Sequence, residues 1–153
     1  INTIPLSSVV SGELIQLSNV NDAAFASEAM GKGIGIKPND NQIYAPIDGE
    51  ITTIFPTKHA IGITGESGIE ILIHIGIDTV ELNGQFFELD VQEGDRVSKG
   101  QKLGQVDFAG INEAGYDTTV MVIITNTNEF LDVIPSTNKK VTTNDLTMNI
   151  VLS

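Results

Sequence analysis

The chain has no cysteine and no tryptophan, and only two histidines stand among its 153 residues. The missing thiols exclude disulfides, thiolate nucleophiles and cysteine-rich zinc sites, and suit a cytoplasmic setting. Basic residues are also scarce, with 8 Lys and Arg against 20 Asp and Glu, a formal net charge of −12. Such a surface repels nucleic acid and anionic membranes and draws in a basic protein partner. No apolar run approaches the length of a membrane span, and no charged segment followed by an apolar stretch opens the chain. The first residue is Ile rather than Met, as in a domain cut from a longer polypeptide. The length suits one domain, 1–153, with a core that needs no staples.

Helical periodicity is scarce as well. One short turn is expected from Asp22 to Met30, with Asp22 capping Ala23-Ala24-Phe25-Ala26, and another from Phe108 to Ala114. The remainder reads as short strands separated by turns such as Asp48-Gly49, Asn83-Gly84, Glu93-Gly94-Asp95 and Lys99-Gly100. Regular spacing of this kind predicts an all-β antiparallel sandwich or barrel with one or two helical turns. A weak internal echo relates Val9–Ile15 to Ala45–Ile51, and Gly94–Leu103 has the two-glycine hairpin pattern of biotinyl and lipoyl carriers. Shared hairpin geometry accounts for both, because the distinctive setting of a carrier lysine is missing.

What is present, then, is the histidine pair. His59-Ala60-Ile61-Gly62-Ile63-Thr64 and Ile69-Glu70-Ile71-Leu72-Ile73-His74 flank a glycine-bounded turn, Gly65 to Gly68, and read as one hairpin. With a loop of two or four residues, 64 faces 69, 62 faces 71, and 59 faces 74. Alternation sends Ile69, Ile71, Ile73 and Ile75 into the core, and Leu72 with His74 to the other, outward face. A lone histidine in such a strand is usually structural; two on one spot argue for chemistry. Two imidazolium charges about 5 Å apart would repel by roughly 3 kcal/mol at an effective dielectric of 20, so at least one ring should be neutral at pH 7.

Three chemistries suit paired imidazoles. Zinc binding would need a third ligand, and neither H-E-x-x-H nor H-x-H spacing occurs. Acid–base hydrolysis would need a nucleophile or activated water with an oxyanion hole, and no Gly-x-Ser-x-Gly elbow occurs. Covalent phosphoryl transfer needs one imidazole as nucleophile and a neighbour to stabilise the phosphoryl oxygens, which explains why the rings lie side by side. Thr57, two residues before His59, can fix that ring's tautomer. With no phosphate-cradling glycine loop no nucleotide is expected, and the donor should be another phosphoprotein.

At these residues the chain resembles the enzyme IIA domain of the glucose, sucrose and β-glucoside type in the bacterial phosphoenolpyruvate-dependent sugar phosphotransferase system. The blocks that carry the resemblance are Gly33-Ile34-Gly35-Ile36-Lys37-Pro38, Ala45-Pro46-Ile47-Asp48-Gly49, Pro56-Thr57-Lys58-His59-Ala60 and Ile73-His74-Ile75-Gly76-Ile77-Asp78-Thr79-Val80. Ala114-Gly115-Tyr116-Asp117-Thr118-Thr119 is similar to the β-glucoside and sucrose branch, in which the domain is often fused to the permease. The resemblance implies a distorted antiparallel β-sandwich with a shallow apolar depression at the histidines. It implies that His74 takes phosphate on Nε2 from the histidine phosphocarrier protein and passes it to a cysteine of the IIB domain. His59 then matches the companion that hydrogen-bonds the phosphoryl group, Thr57 the residue orienting it, and the Gly76 carbonyl the acceptor for the other nitrogen of His74. Asp22 and Asp78 match flanking carboxylates, while Phe25, Met30, Phe55, Leu72 and Val80 match the lining that meets partners. Alanines at 23 and 24 replace bulkier residues common in the family.

The expected protein is thus a phosphotransferase component of sugar uptake. It would need no cofactor or metal, insert into no membrane, and sit in the cytoplasm, alone or tethered to the membrane through a fused permease. The rival readings are a zinc hydrolase of related sandwich fold, such as a cell-wall endopeptidase, and a non-catalytic module that binds regulatory protein targets through the same face.

Overall fold

A computed structural model describes residues 2–153. In chain order the strands are β1 (Thr3–Ser7), β2 (Gly12–Gln16), β3 (Lys32–Pro38), β4 (Gln42–Tyr44), β5 (Gly49–Ile54), β6 (Ala60–Gly65), β7 (Glu70–Ile75), β8 (Phe87–Leu89), β9 (Arg96–Val97), β10 (Lys102–Val106), β11 (Val120–Ile124), β12 (Asp132–Pro135), β13 (Lys140–Val141) and β14 (Leu146–Val151). Helix α1 (Ala23–Ala26) precedes β3, and α2 (Phe108–Glu113) precedes β11. Both fall within the segments expected to be helical. The first is shorter than the Asp22–Met30 expectation because the chain turns off after Ser27 and Glu28 takes a left-handed φ of 63°.

An eight-stranded sheet in the order β13-β2-β3-β11-β7-β6-β5-β9 faces two three-stranded sheets, β1-β14-β12 and β4-β10-β8, and the pairings within them are antiparallel. The expected antiparallel sandwich is the architecture observed. Its main core takes one face of each strand of the large sheet: Ile61 and Ile63 from β6, Ile71, Ile73 and Ile75 from β7, Val120, Val122 and Ile124 from β11. These side chains obey the period of two, and burying a β-branched residue of this size contributes roughly 1.5–3 kcal/mol.

Strand β11 does not alternate between core and solvent: all five of its residues are buried. Met121 and Ile123 point away from the main core into a second, smaller apolar cluster with Leu17, Val20, Phe25 and Ile77, against which Leu72 and Ile15 pack. The segment from Leu17 through α1 therefore lies over the reverse face of the large sheet. This corrects the expectation of an outward face, since the side carrying His74 is partly roofed.

The β6–β7 hairpin also differs in register. Ala60 faces His74 and Gly62 faces Leu72, so opposing residues are one step from the expected pairing of 59 with 74. The loop has three residues, Glu66–Gly68, with Gly65 N–H donating to the Ile69 carbonyl at 2.7 Å and Ser67 at a left-handed φ of 57°. An odd loop changes the pairing by one, while the division of β7 into two faces is unaffected.

Candidate functional site

Strict alternation in the observed register would leave the two histidines out of line, with His59 beside Ile75. Indeed, Ile75 N–H donates to the His59 carbonyl at 2.7 Å. His59, however, precedes β6 and follows Lys58, whose φ is 64°, in a tight β5–β6 turn closed by Lys58 N–H to the Phe55 carbonyl at 2.7 Å. That left-handed step frees His59 from the strand's alternation, and its ring arrives beside that of His74. The ring centroids are 4.9 Å apart and the planes stand at 83°. Phe25 flanks His74 at 4.9 Å and Phe55 flanks His59 at 5.5 Å, giving a row of four rings.

Each imidazole is held through Nδ1. His74 Nδ1 lies 2.8 Å from the Gly76 carbonyl oxygen. A carbonyl only accepts, so Nδ1 of His74 carries the proton and Nε2 keeps a free lone pair. His59 Nδ1 lies 2.8 Å from Thr57 Oγ1, a hydroxyl that can donate or accept. Gly76 makes its contact at a φ of 81°, and a Cβ there would overlap the Thr79 side chain. Thr79, fully buried, anchors the turn through its Oγ1, which donates to the Ile75 carbonyl.

The electrostatics favour neutral rings. His59, 3% exposed, has its pKa lowered to about 4, first by desolvation and then by the adjacent His74. Desolvation also lowers His74, against the opposing pull of the Gly76 carbonyl and the charges of Asp22 and Asp78. The expectation of at least one uncharged imidazole at neutral pH is met by both.

Asp22 caps α1, its Oδ1 accepting from Ala24 N–H at 2.9 Å and Phe25 N–H at 3.4 Å, and its charge also acts on His74. Asp78 does not cap the turn that follows: it sits at a φ of 61° and its side chain makes no capping bond. Of the apolar lining residues, Met30, Phe55 and Val80 are exposed, with Val80 at 48%. Leu72 is half-buried, and Phe25 belongs mainly to the second cluster beneath His74. A groove of about 250 Å³ continues from Phe55 and Leu72 along Thr52, Gly62, Thr64 and Glu70.

Local reading did not single out Thr79 or Asp117 as contributors. Asp117 bonds to Asn21, 96 residues away in sequence, through Asn21 Nδ2 donating at 3.2 Å. Nearby in sequence, Tyr116 donates its hydroxyl to Glu81 at 3.1 Å. The nearest available signal was the block Tyr116-Asp117-Thr118-Thr119 itself, a polar cluster leading into the fully apolar β11.

Comparison with known proteins identifies relatives over most of the chain. A family model described as phosphoenolpyruvate-dependent sugar phosphotransferase system, EIIA 1, matches residues 4–130. A beta-glucoside-specific EIIBCA component of this system from Bacillus subtilis is 49% identical over 123 residues, 80% of this chain and 20% of that protein. A glucose-specific EIICBA component from Staphylococcus saprophyticus is 53% identical over 115 residues, 75% of this chain and 17% of that protein. The chain thus spans about a fifth of the length of these curated relatives. The solved structure of glucose permease IIA from Mycoplasma capricolum superposes with a TM-score of 0.85 at 33% identity, covering 97% of this chain and 96% of that one.

Proposed function

The chain belongs to the EIIA 1 family of the phosphoenolpyruvate-dependent sugar phosphotransferase system, and from that membership and the histidine geometry we propose a phosphoryl relay through His74. Nε2 of His74 attacks the phosphorus of a phosphohistidine on the histidine phosphocarrier protein; the new N–P bond forms as the donor's N–P bond breaks. Nδ1–H stays on the ring throughout, and the Gly76 carbonyl at 2.8 Å stabilises the positive charge the imidazole acquires. Asp22 and Asp78 add to that stabilisation through space. In the second half-reaction the phosphoryl group leaves Nε2 for the IIB cysteine of a sugar permease.

His59 takes the complementary part. Thr57 donating its hydroxyl to Nδ1 puts the proton of neutral His59 on Nε2, a donor for the phosphoryl oxygens. Phe55, Met30, Leu72 and Val80 offer the apolar surface around the rings on which both partners dock in turn, and Phe25 supports His74 from beneath. Relatives carry IIB and IIC in the same polypeptide, which supports placement at the cytoplasmic side of a membrane permease. No helix among the described residues is long and apolar enough to cross a membrane.

The single observation that carries this reading is the His74 imidazole, its Nδ1 2.8 Å from the Gly76 carbonyl oxygen, with the His59 imidazole 4.9 Å away. The test is acid-labile, base-stable labelling from phosphoenolpyruvate, enzyme I and the histidine phosphocarrier protein, followed by a chase with IIB. His74→Gln should abolish labelling, since glutamine cannot form the phosphoramidate. His59→Gln, which keeps an N–H donor, should accept label but pass it on far more slowly. Label that persists without His74 and vanishes without His59 would make His59 the nucleophile and overturn the assignment to His74.

A further inference from the structure

We infer that Asp117 is a positioning residue for His74, acting through the peptide group that joins Gly76 to Ile77; this deepens the proposed relay and rests on it. The two ends of that peptide are both engaged. Its carbonyl, on Gly76, receives His74 Nδ1–H at 2.8 Å, and its N–H, on Ile77, donates to the Asp117 carbonyl at 3.0 Å. In a trans peptide the N–H and C=O point in opposite directions, so fastening the first aims the second. Gly76 N–H is fastened to the same segment, donating to the Thr119 carbonyl at 2.9 Å.

The Asp117 carboxylate holds that segment still. Oδ1 accepts from Thr119 N–H at 2.9 Å and from Thr119 Oγ1 at 2.7 Å, while Oδ2 accepts from Asn21 Nδ2 at 3.2 Å. Asn21 immediately precedes Asp22, so the carboxylate ties 21–22 to 117–119, and the backbone carbonyls of Asp117 and Thr119 tie that segment in turn to 76–77. Burial pushes the carboxyl pKa up, but the bonds from Thr119 and Asn21 and the Lys37 charge outweigh it and hold it below the usual value. A hydrogen bond accepted by the Asp117 carbonyl also polarises the 76–77 peptide and strengthens its carbonyl as an acceptor. Asp117 touches neither histidine; its reach is through backbone.

A residue that merely closed the turn into β11 would affect stability without affecting the imidazole. The discriminating readout is the His74 tautomer, from ¹⁵N imidazole shifts of the unphosphorylated 153-residue chain above pH 7.5, together with the phosphorylation rate. Asp117→Ala should lower the ratio of Nδ1–H to Nε2–H tautomer about fivefold to tenfold, the effect of weakening one hydrogen bond. It should slow labelling about tenfold, as loosening the outer partner of a functional imidazole does elsewhere. Asp117→Asn keeps an acceptor for Thr119 N–H and should return both to within about threefold of the parent. Asp117→Gln, with the acceptor displaced by a methylene, should reproduce the tautomer mixing even if the alanine variant does not fold. An unchanged tautomer in Asp117→Ala and Asp117→Gln, or an asparagine variant as impaired as alanine, would overturn the inference. The tautomer is read without a phosphoryl donor, so a parent chain that takes no label would defeat the relay and leave this inference decided on its own.

Discussion

His59 should make this fold acid-sensitive in a calculable way. Its ring is nearly inaccessible and its pKa stands at about 4, against an ordinary value of 6.5. Because the folded value lies below the unfolded one, the unfolded chain binds more protons between them, and stability falls as the pH drops through that window. The whole shift corresponds to roughly 3 kcal/mol, fully lost below about pH 4, of which about 2 kcal/mol is already lost at pH 5 and almost none at pH 7. The assay is urea unfolding from pH 7.5 to 4.5 for the parent and for His59→Gln, which cannot titrate. With a slope near 2 kcal/mol per molar urea, the parent's midpoint should fall about 1 M further than the variant's between pH 7 and 5. Carboxylates common to both chains cancel in that difference. Parallel pH profiles would show that His59 titrates normally, and the neutral-pair argument would lose its electrostatic basis.

Association with the proposed phosphoryl donor should slow as salt rises, with dissociation little changed, because a chain of net charge −12 steers a partner with a basic face over distances that salt screens; an association rate indifferent to salt would count against steering. Transfer should run at full rate in chelator, since two imidazoles are too few ligands for a stable catalytic zinc; activity lost to chelator and restored by zinc would favour a hydrolase. Thr57→Val should leave His74 phosphorylated but slow onward transfer about tenfold, because the 2.8 Å contact that sets the His59 tautomer is gone; a variant chased at the parent rate would remove Thr57 from the mechanism.

How much of this was legible beforehand depends on which interactions are local. The isoleucine face of β7 followed from a period of two, which survives any error in pairing, and Ile71, Ile73 and Ile75 are indeed buried. The register did not follow, because nothing in Glu66-Ser67-Gly68 marks a three-residue loop over a four-residue one until Ser67 is seen in the left-handed region. The observed register would have parted the histidines had Lys58 not been left-handed too, a conformation its residue type does not advertise. The roof over the histidine face was present in the unbroken apolar run Val120–Ile124, whose lack of alternation implies burial on both sides. The tie from Asn21 to Asp117 joins polar residues 96 apart and has no local pattern to betray it.

The two histidines differ in the chemistry of their anchors more than in their burial. A carbonyl accepts and never donates, so the Gly76 contact commits the His74 proton to Nδ1 in every state of the ring. A hydroxyl does either, so the Thr57 contact can donate to Nδ1 of the neutral His59 ring and accept from Nδ1–H of the charged one, leaving a proton on Nε2 in both states. The nucleophile of a relay must offer the same lone pair to each donor and bear the same bond to each acceptor. Its companion must instead follow charge that grows and recedes on the phosphoryl oxygens. A rotating hydroxyl supplies that adaptability at the cost of one soft torsion. An exchange of anchors, with a carbonyl on His59 and a hydroxyl on His74, would leave a nucleophile of uncertain tautomer beside a companion unable to adapt, and the proposed division of labour follows from the arrangement the chain has.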